Sequence, residues 1–118
     1  FVLLGATGGR FDHTLANLQT VAYGLEQGVF IMIADQNNMI TMLRDSCVSM
    51  PRMEGYYLSI FSYTPCCEGI TLTGVKYPLR QAKLTNWTTL GLSNEILEET
   101  AQISVEKGTL VVVVSKDR

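Results

Sequence analysis

The sequence predicts an α/β remnant of strand, helix and strand over residues 1–44, followed by an all-β domain over residues 45–118. Two observations carry this prediction. Before Arg44, apolar runs alternate with a stretch of helical periodicity; after it, short β-favouring runs recur between turn residues. Strands at that spacing suggest a β-sandwich, with the boundary at about Asp45.

The apolar run 1–4 reads as a strand entering a glycine turn. Leu15, Leu18, Ala22 and Leu25 fall three or four residues apart, which gives one apolar face to a helix from about residue 14 to residue 27, with Gly28 as its C-cap. Residues 30–34 are all apolar, which suits a central strand covered on both faces. Asp35-Gln-Asn-Asn38 is a turn, and 39–43 a partnering strand. Strands are then expected at 56–62, 70–75, 88–92, 103–105 and 109–115, with Pro51, Pro65 and Pro78 between them, where a missing N–H costs little. A helix over 94–100 would be short, with only Ile96 and Leu97 apolar. Glu95, Glu98 and Glu99 read as solvated charge rather than a metal cluster.

With 118 residues, 47% hydrophobic and 17% charged, the chain holds one ordinary domain, or a small domain and a remnant. Its formal net charge of −2 gives no electrostatic reason to expect nucleic acid or an anionic membrane, so any anion site must be local. No apolar run approaches the roughly 20 residues of a membrane span, and no signal peptide is evident; a cytoplasmic address is expected. Cys47, Cys66 and Cys67 are odd in number and lack the spaced partners of a zinc site, so reduced thiols are expected. The chain opens at Phe1, inside an apolar strand and without methionine, and is read as the later part of a longer protein.

Chemistry concentrates in Gly5-Ala-Thr-Gly-Gly-Arg-Phe-Asp-His-Thr-Leu-Ala-Asn17. A strand, a glycine turn and a polar helix start make an anion site, because backbone N–H groups and the helix N-terminus converge on one point. The run lacks the Gly-Lys-Ser/Thr ending of a P-loop and the spacing of a dinucleotide fingerprint. Arg10 can grip phosphate oxygens with two parallel hydrogen bonds, or pair with a carboxylate as a surface arginine. Asp12 can bind Mg²⁺, orient an attacking hydroxyl, or cap the helix. His13 can carry a proton or serve structure. Thr14 and Asn17, one turn apart, can face the same site, although capping or helix packing accounts for Asn17 nearly as well.

The string Gly8-Gly-Arg-Phe-Asp-His-Thr-Leu-Ala-Asn17 resembles the signature of thiamine pyrophosphokinases, which move a pyrophosphoryl group from ATP to thiamine. Gly74-Val-Lys-Tyr-Pro-Leu79 and Gly91-Leu-Ser-Asn-Glu95 are similar to two further segments of the family's bacterial members, and Gly108-Thr-Leu-Val-Val-Val-Val-Ser115 to its last strand. The family's acidic Gly-Asp-Phe-Asp-Ser-type motif does not occur here. The resemblance implies a truncated α/β catalytic domain at 1–44 and a β-sandwich thiamine-binding domain at 45–118. It implies phosphate binding by Gly8, Gly9, Arg10, Thr14 and Asn17, catalytic roles for Arg10, Asp12 and His13, and Mg²⁺ on Asp12 with ATP as co-substrate. Ser93 and Asn94 would then contact the pyrimidine of thiamine, with an Asx or Ser turn as the plain alternative, and Tyr77 would stack on the ligand. Trp87 matches no family position and reads as packing. The resemblance also implies a homodimer with a shared active site. The chain alone, lacking the acidic motif, is expected to be almost inactive. The other function class that fits is a non-catalytic thiamine-binding or oligomerisation module. With the sheet cut short, strands 1–4 and 30–34 are expected to have unpaired edges, so residues before Asp45 would pack against a second chain or exchange with it.

Overall fold

Four consecutive valines at 111–114 leave strand β9 without a polar face, and the computed structural model, which describes residues 2–4 and 10–117, shows why. The strand has a layer on each side. Strands β1 (Val2–Leu4), β2 (Met32–Ala34), β3 (Asn38–Arg44), β9 (Thr109–Ser115) and β5 (Tyr57–Ser62) form one sheet in that order. Strands β4 (Cys47–Pro51), β8 (Thr100–Ser104), β6 (Cys66–Thr73) and β7 (Leu79–Thr85) form the second. Only β1 and β2 run parallel among the described pairs. The first sheet therefore joins elements from both sides of residue 45, through the β3–β9 ladder.

Helix α1 (Phe11–Glu26) covers one face of the first sheet. Its Val21 is buried against Ile33, Ile40 and Met42, with Leu18, Ala22, Leu25, Val111 and Val113 around them. On the other face, Leu43, Leu58, Ile60, Leu110, Val112 and Val114 meet Ile70, Leu72, Leu84, Ala101 and Ile103 of the second sheet. The valines of β9 thus alternate between two apolar layers.

The helix ends as its glycine foretells. Gly28 (φ +77) donates to the Leu25 carbonyl at 3.1 Å, and Val29 to the Gly24 carbonyl at 2.7 Å, the double bond pattern of a left-handed helix stop. The helix begins at Phe11 rather than residue 14, and its inward stripe is buried Val21 with half-buried Leu18, Ala22 and Leu25; Leu15 is 48% exposed and outside that stripe. The expected turn at Asp35 is present, its Oδ1 accepting from the N–H groups of Asn37 and Asn38, both at 2.8 Å.

Four expectations need correction. Residues 88–92 form a turn, with Leu92 donating to the Thr89 carbonyl at 3.2 Å, since their backbone follows β5 at isolated points and no ladder forms. Strands β4 and β7 are absent from the sequence-based reading because each is an edge strand with a polar outer face and so carries no apolar run. Pro51 lies inside β4, at the end of that edge strand, where its missing donor breaks no interior ladder. Strand β2 is bonded on both edges, to β1 and β3; among the described residues only β1 leaves that end of the sheet open. No helix among the described residues is long and apolar enough to cross a membrane.

Candidate functional site

Two groups of residues singled out by sequence stand in different parts of the fold. The first is the start of α1. Arg10 is the N-cap in extended conformation (φ −74°, ψ 126°), with no side-chain capping bond. Its Nη2 lies 2.6 Å from Asp12 Oδ2, and Asp12 Oδ1 accepts the His13 N–H at 2.9 Å. Both charged side chains are largely exposed, so water competes with their pairing and the arginine can leave its partner for a phosphate at little cost. His13 is exposed, while Thr14 and Asn17 are half-buried one turn apart. Gly8 and Gly9 lie outside the described residues. Among the described residues no three His, Cys, Asp or Glu side chains gather to hold a metal.

The second group forms a cleft of about 290 Å³ lined by Leu72, Tyr77, Leu79, Leu90, Gly91, Leu92 and Asn94. Local sequence builds it closely. A Cβ on Gly91 would fall 2.7 Å from the Ile60 carbonyl oxygen, so only glycine lets this segment lie against β5. Gly74 (φ +76) passes equally near the backbone of Thr100, where a Cβ would meet its carbonyl oxygen at 2.5 Å.

Asn94, 6% exposed, ties the cleft together. Its backbone bonds reciprocally with Leu58, at 2.8 and 2.7 Å. Its Oδ1 accepts from Tyr77 N–H at 3.0 Å and Glu95 N–H at 2.9 Å, while its Nδ2 donates to the Tyr77 carbonyl at 2.8 Å. One buried amide therefore holds both backbone groups of Tyr77, a residue left 60% exposed. Ser93 is exposed and has a left-handed backbone (φ +57), and its N–H donates to the hydroxyl of Ser59 at 2.9 Å. Beside them Lys76 lies 3.4 Å from Glu95 and 5.5 Å from the centre of the Tyr77 ring. The hydrogen bond to Glu95, with the negative potential of Tyr77 and Glu95, raises the Lys76 pKa above the ordinary lysine value.

A broader open groove of about 650 Å³ adjoins the cleft through Leu90 and includes Trp87, Lys83 and Thr85. Trp87 is 81% exposed, so the tryptophan packs in neither core. Ser59, Leu72, Leu79 and Leu90 were not found by sequence reasoning. The one available signal was the polar residue Ser59 interrupting the apolar strand β5.

The register carries one row of residues across the first sheet to the cleft. Leu4, Ala34, Met39, Val114, Leu58 and Asn94 lie on one continuous row across the first sheet. Leu4 immediately precedes the glycine motif, and Asn94 belongs to the cleft. Five interstrand steps separate the row's ends, about 24 Å. The helix also lies on one face of that sheet, while Leu72 and Leu79 bring the cleft to the other.

Comparison with known proteins agrees with the sequence resemblance. The chain matches the family described as "Thiamin pyrophosphokinase, vitamin B1 binding domain" over residues 45–110. It is 34% identical over 116 residues to thiamine pyrophosphokinase of Bacillus subtilis (strain 168), covering 98% of this chain and 54% of that protein. The crystal structure of thiamine pyrophosphokinase from B. subtilis superposes with a TM-score of 0.94 at 33% identity, over 99% of this chain and 55% of the other. A thiamin pyrophosphokinase family protein from Enterococcus faecalis gives a TM-score of 0.85 at 36% identity, over 99% and 55% of the two chains. The chain thus spans about half the length of these relatives.

Proposed function

The chain belongs to the thiamin pyrophosphokinase family, and from that premise we propose that it supplies the thiamine-binding part of an enzyme transferring pyrophosphate from ATP to thiamine, with thiamine pyrophosphate and AMP as products. The observation that carries this reading is the apolar cleft lined by an exposed Tyr77 and a buried Asn94, with the exposed Ser93 between its lining residues Leu92 and Asn94 in sequence. A planar, cationic, partly polar ligand needs an aromatic face and a few hydrogen-bonding groups set in an apolar wall. In this proposal Tyr77 stacks on the ligand, and Ser93 and Asn94 serve its pyrimidine, Asn94 also fixing the backbone of Tyr77.

Residues 1–44 are then the end of an α/β catalytic domain, and residues 45–118 form the thiamine-binding domain. Gly8, Gly9, Arg10, Thr14 and Asn17 take the phosphates, and Arg10, Asp12 and His13 act at the reacting end. Mg²⁺ carried by substrate phosphates requires only one or two protein carboxylates, and Asp12 fits as one of them; the metal would offset phosphate charge there. The row from Leu4, which precedes the glycine motif in sequence, to Asn94 of the cleft is about 24 Å long, more than the reach of one thiamine molecule. That span supports a homodimer in which the phosphate end of one chain completes the cleft of another. The exposed Tyr77, Leu90 and Leu92 are the surface such an arrangement would cover. The 118-residue chain by itself is almost inactive in this reading.

A non-catalytic thiamine-binding or oligomerisation module is the second reading. In it the motif residues survive only as structure, Arg10 paired with Asp12 at the start of α1. Calorimetric titration of thiamine, then of ATP with Mg²⁺, into the protein and its Ser93→Ala variant tests the proposal. Thiamine binding that is weakened in the variant supports it. A folded protein that binds no thiamine overturns it, and light scattering that shows only monomer at high concentration overturns the shared site.

A further inference from the structure

We propose that Ser59 is a positioning residue for the cleft, holding Ser93 in its left-handed conformation so that the Ser93 side chain is presented beside Tyr77 and Asn94. Ser59 sits in the middle of β5 with 5% exposure, a hydroxyl in a strand whose neighbours Leu58 and Ile60 are core residues. It accepts the Ser93 N–H at 2.9 Å across 34 residues of sequence. Ser93 needs that support. A non-glycine residue at φ +57 is disfavoured relative to extended backbone and persists only where its surroundings dictate it. The next residue is bonded to Leu58 through both backbone groups, so β5 grips the segment at successive positions. Removing the Ser59 hydroxyl leaves the Ser93 N–H without its acceptor and releases the strained residue, while Asn94 and Tyr77 stay anchored.

This inference rests on the reading of the cleft as a thiamine site. Its test compares thiamine with oxythiamine, which carries an oxo group in place of the pyrimidine amino group, by calorimetry on the wild-type protein, Ser59→Ala, Ser59→Thr and Ser93→Ala. The Ser59→Ala variant is expected to bind thiamine about tenfold more weakly and to lose preference for thiamine over oxythiamine, with its unfolding still cooperative. Ser59→Thr keeps the hydroxyl on a strand-favouring side chain and is expected to restore both. Hydrogen exchange of the Ser93 amide is expected to quicken in Ser59→Ala alone among the Ser59 variants. A Ser59→Ala protein with wild-type affinity and preference, when Ser93→Ala has lost both, overturns this inference and leaves the functional reading standing. Absence of thiamine binding by the wild-type protein overturns both.

Discussion

Replacing Asn94 tests whether the cleft is held by one buried amide. Its side chain makes three hydrogen bonds, two to the Tyr77 backbone and one to the Glu95 N–H. Each is worth about 1 kcal/mol net, and water regains part of the bonding at the exposed Tyr77 loop, so Asn94→Ala should lose about 1.5–3 kcal/mol. With a urea dependence of about 1.5 kcal/mol per molar, the unfolding midpoint should fall by about 1–2 M. Asn94→Asp is the sharper probe because it is nearly isosteric. It keeps the acceptor for Tyr77 and Glu95 but turns the donor that faces the Tyr77 carbonyl at 2.8 Å into a second acceptor. At neutral pH it should be at least as unstable as the alanine variant. Acidification should recover part of the loss, since a protonated carboxyl donates where Nδ2 did. An aspartate variant with wild-type stability at neutral pH would refute the argument that Asn94 donates to Tyr77.

Lys76 should titrate above an ordinary lysine, and Glu95→Gln should return it toward the usual value, as followed by NMR of methylated lysines. A lysine with a raised folded pKa contributes stability that is full below its unfolded value and lost as pH rises through the folded one, so the effect of Glu95→Gln should be confined to pH below that range. Gly28→Ala should cost only about 1 kcal/mol, as open space surrounds its left-handed backbone, whereas Gly74→Ala should cost about 1–3 kcal/mol more through contact with Thr100; equal denaturation midpoints would contradict this. With a disulfide reagent, Cys47 should react first and Cys67 only on unfolding, because Cys67 is buried and its thiol donates to the Thr109 carbonyl at 3.1 Å; equal rates at all three cysteines would count against it.

Much of the fold was legible wherever a single segment carried its own signal. Helix α1 announced itself by apolar spacing and Gly28, the Asp35 turn by side-chain acceptors, and β9 by a run that matches Thr109–Ser115. Strands β4 and β7 were not legible, because an edge strand's identity lies in the neighbour that bonds it. Residues 88–92 erred the other way, favouring β structure locally without a ladder to join. Tyr77, Ser93 and Asn94 could be named from motif strings, but nothing in those strings tells that Asn94 spends its amide on Tyr77, or that Ser59 supports Ser93.

By itself, then, the sequence determined the elements that carry their own local signal, the resemblance to a family and the residues worth testing. Only the tertiary structure decided that β3, β9 and β5 share one sheet across residue 45, and that Leu4 and Asn94 lie at opposite ends of a single row. The physical reason is that periodicity and backbone preference act within a few residues. Register is set instead by hydrogen bonds and side-chain layers between segments as distant as Leu4 and Asn94, and no local pattern encodes which strand will lie beside which.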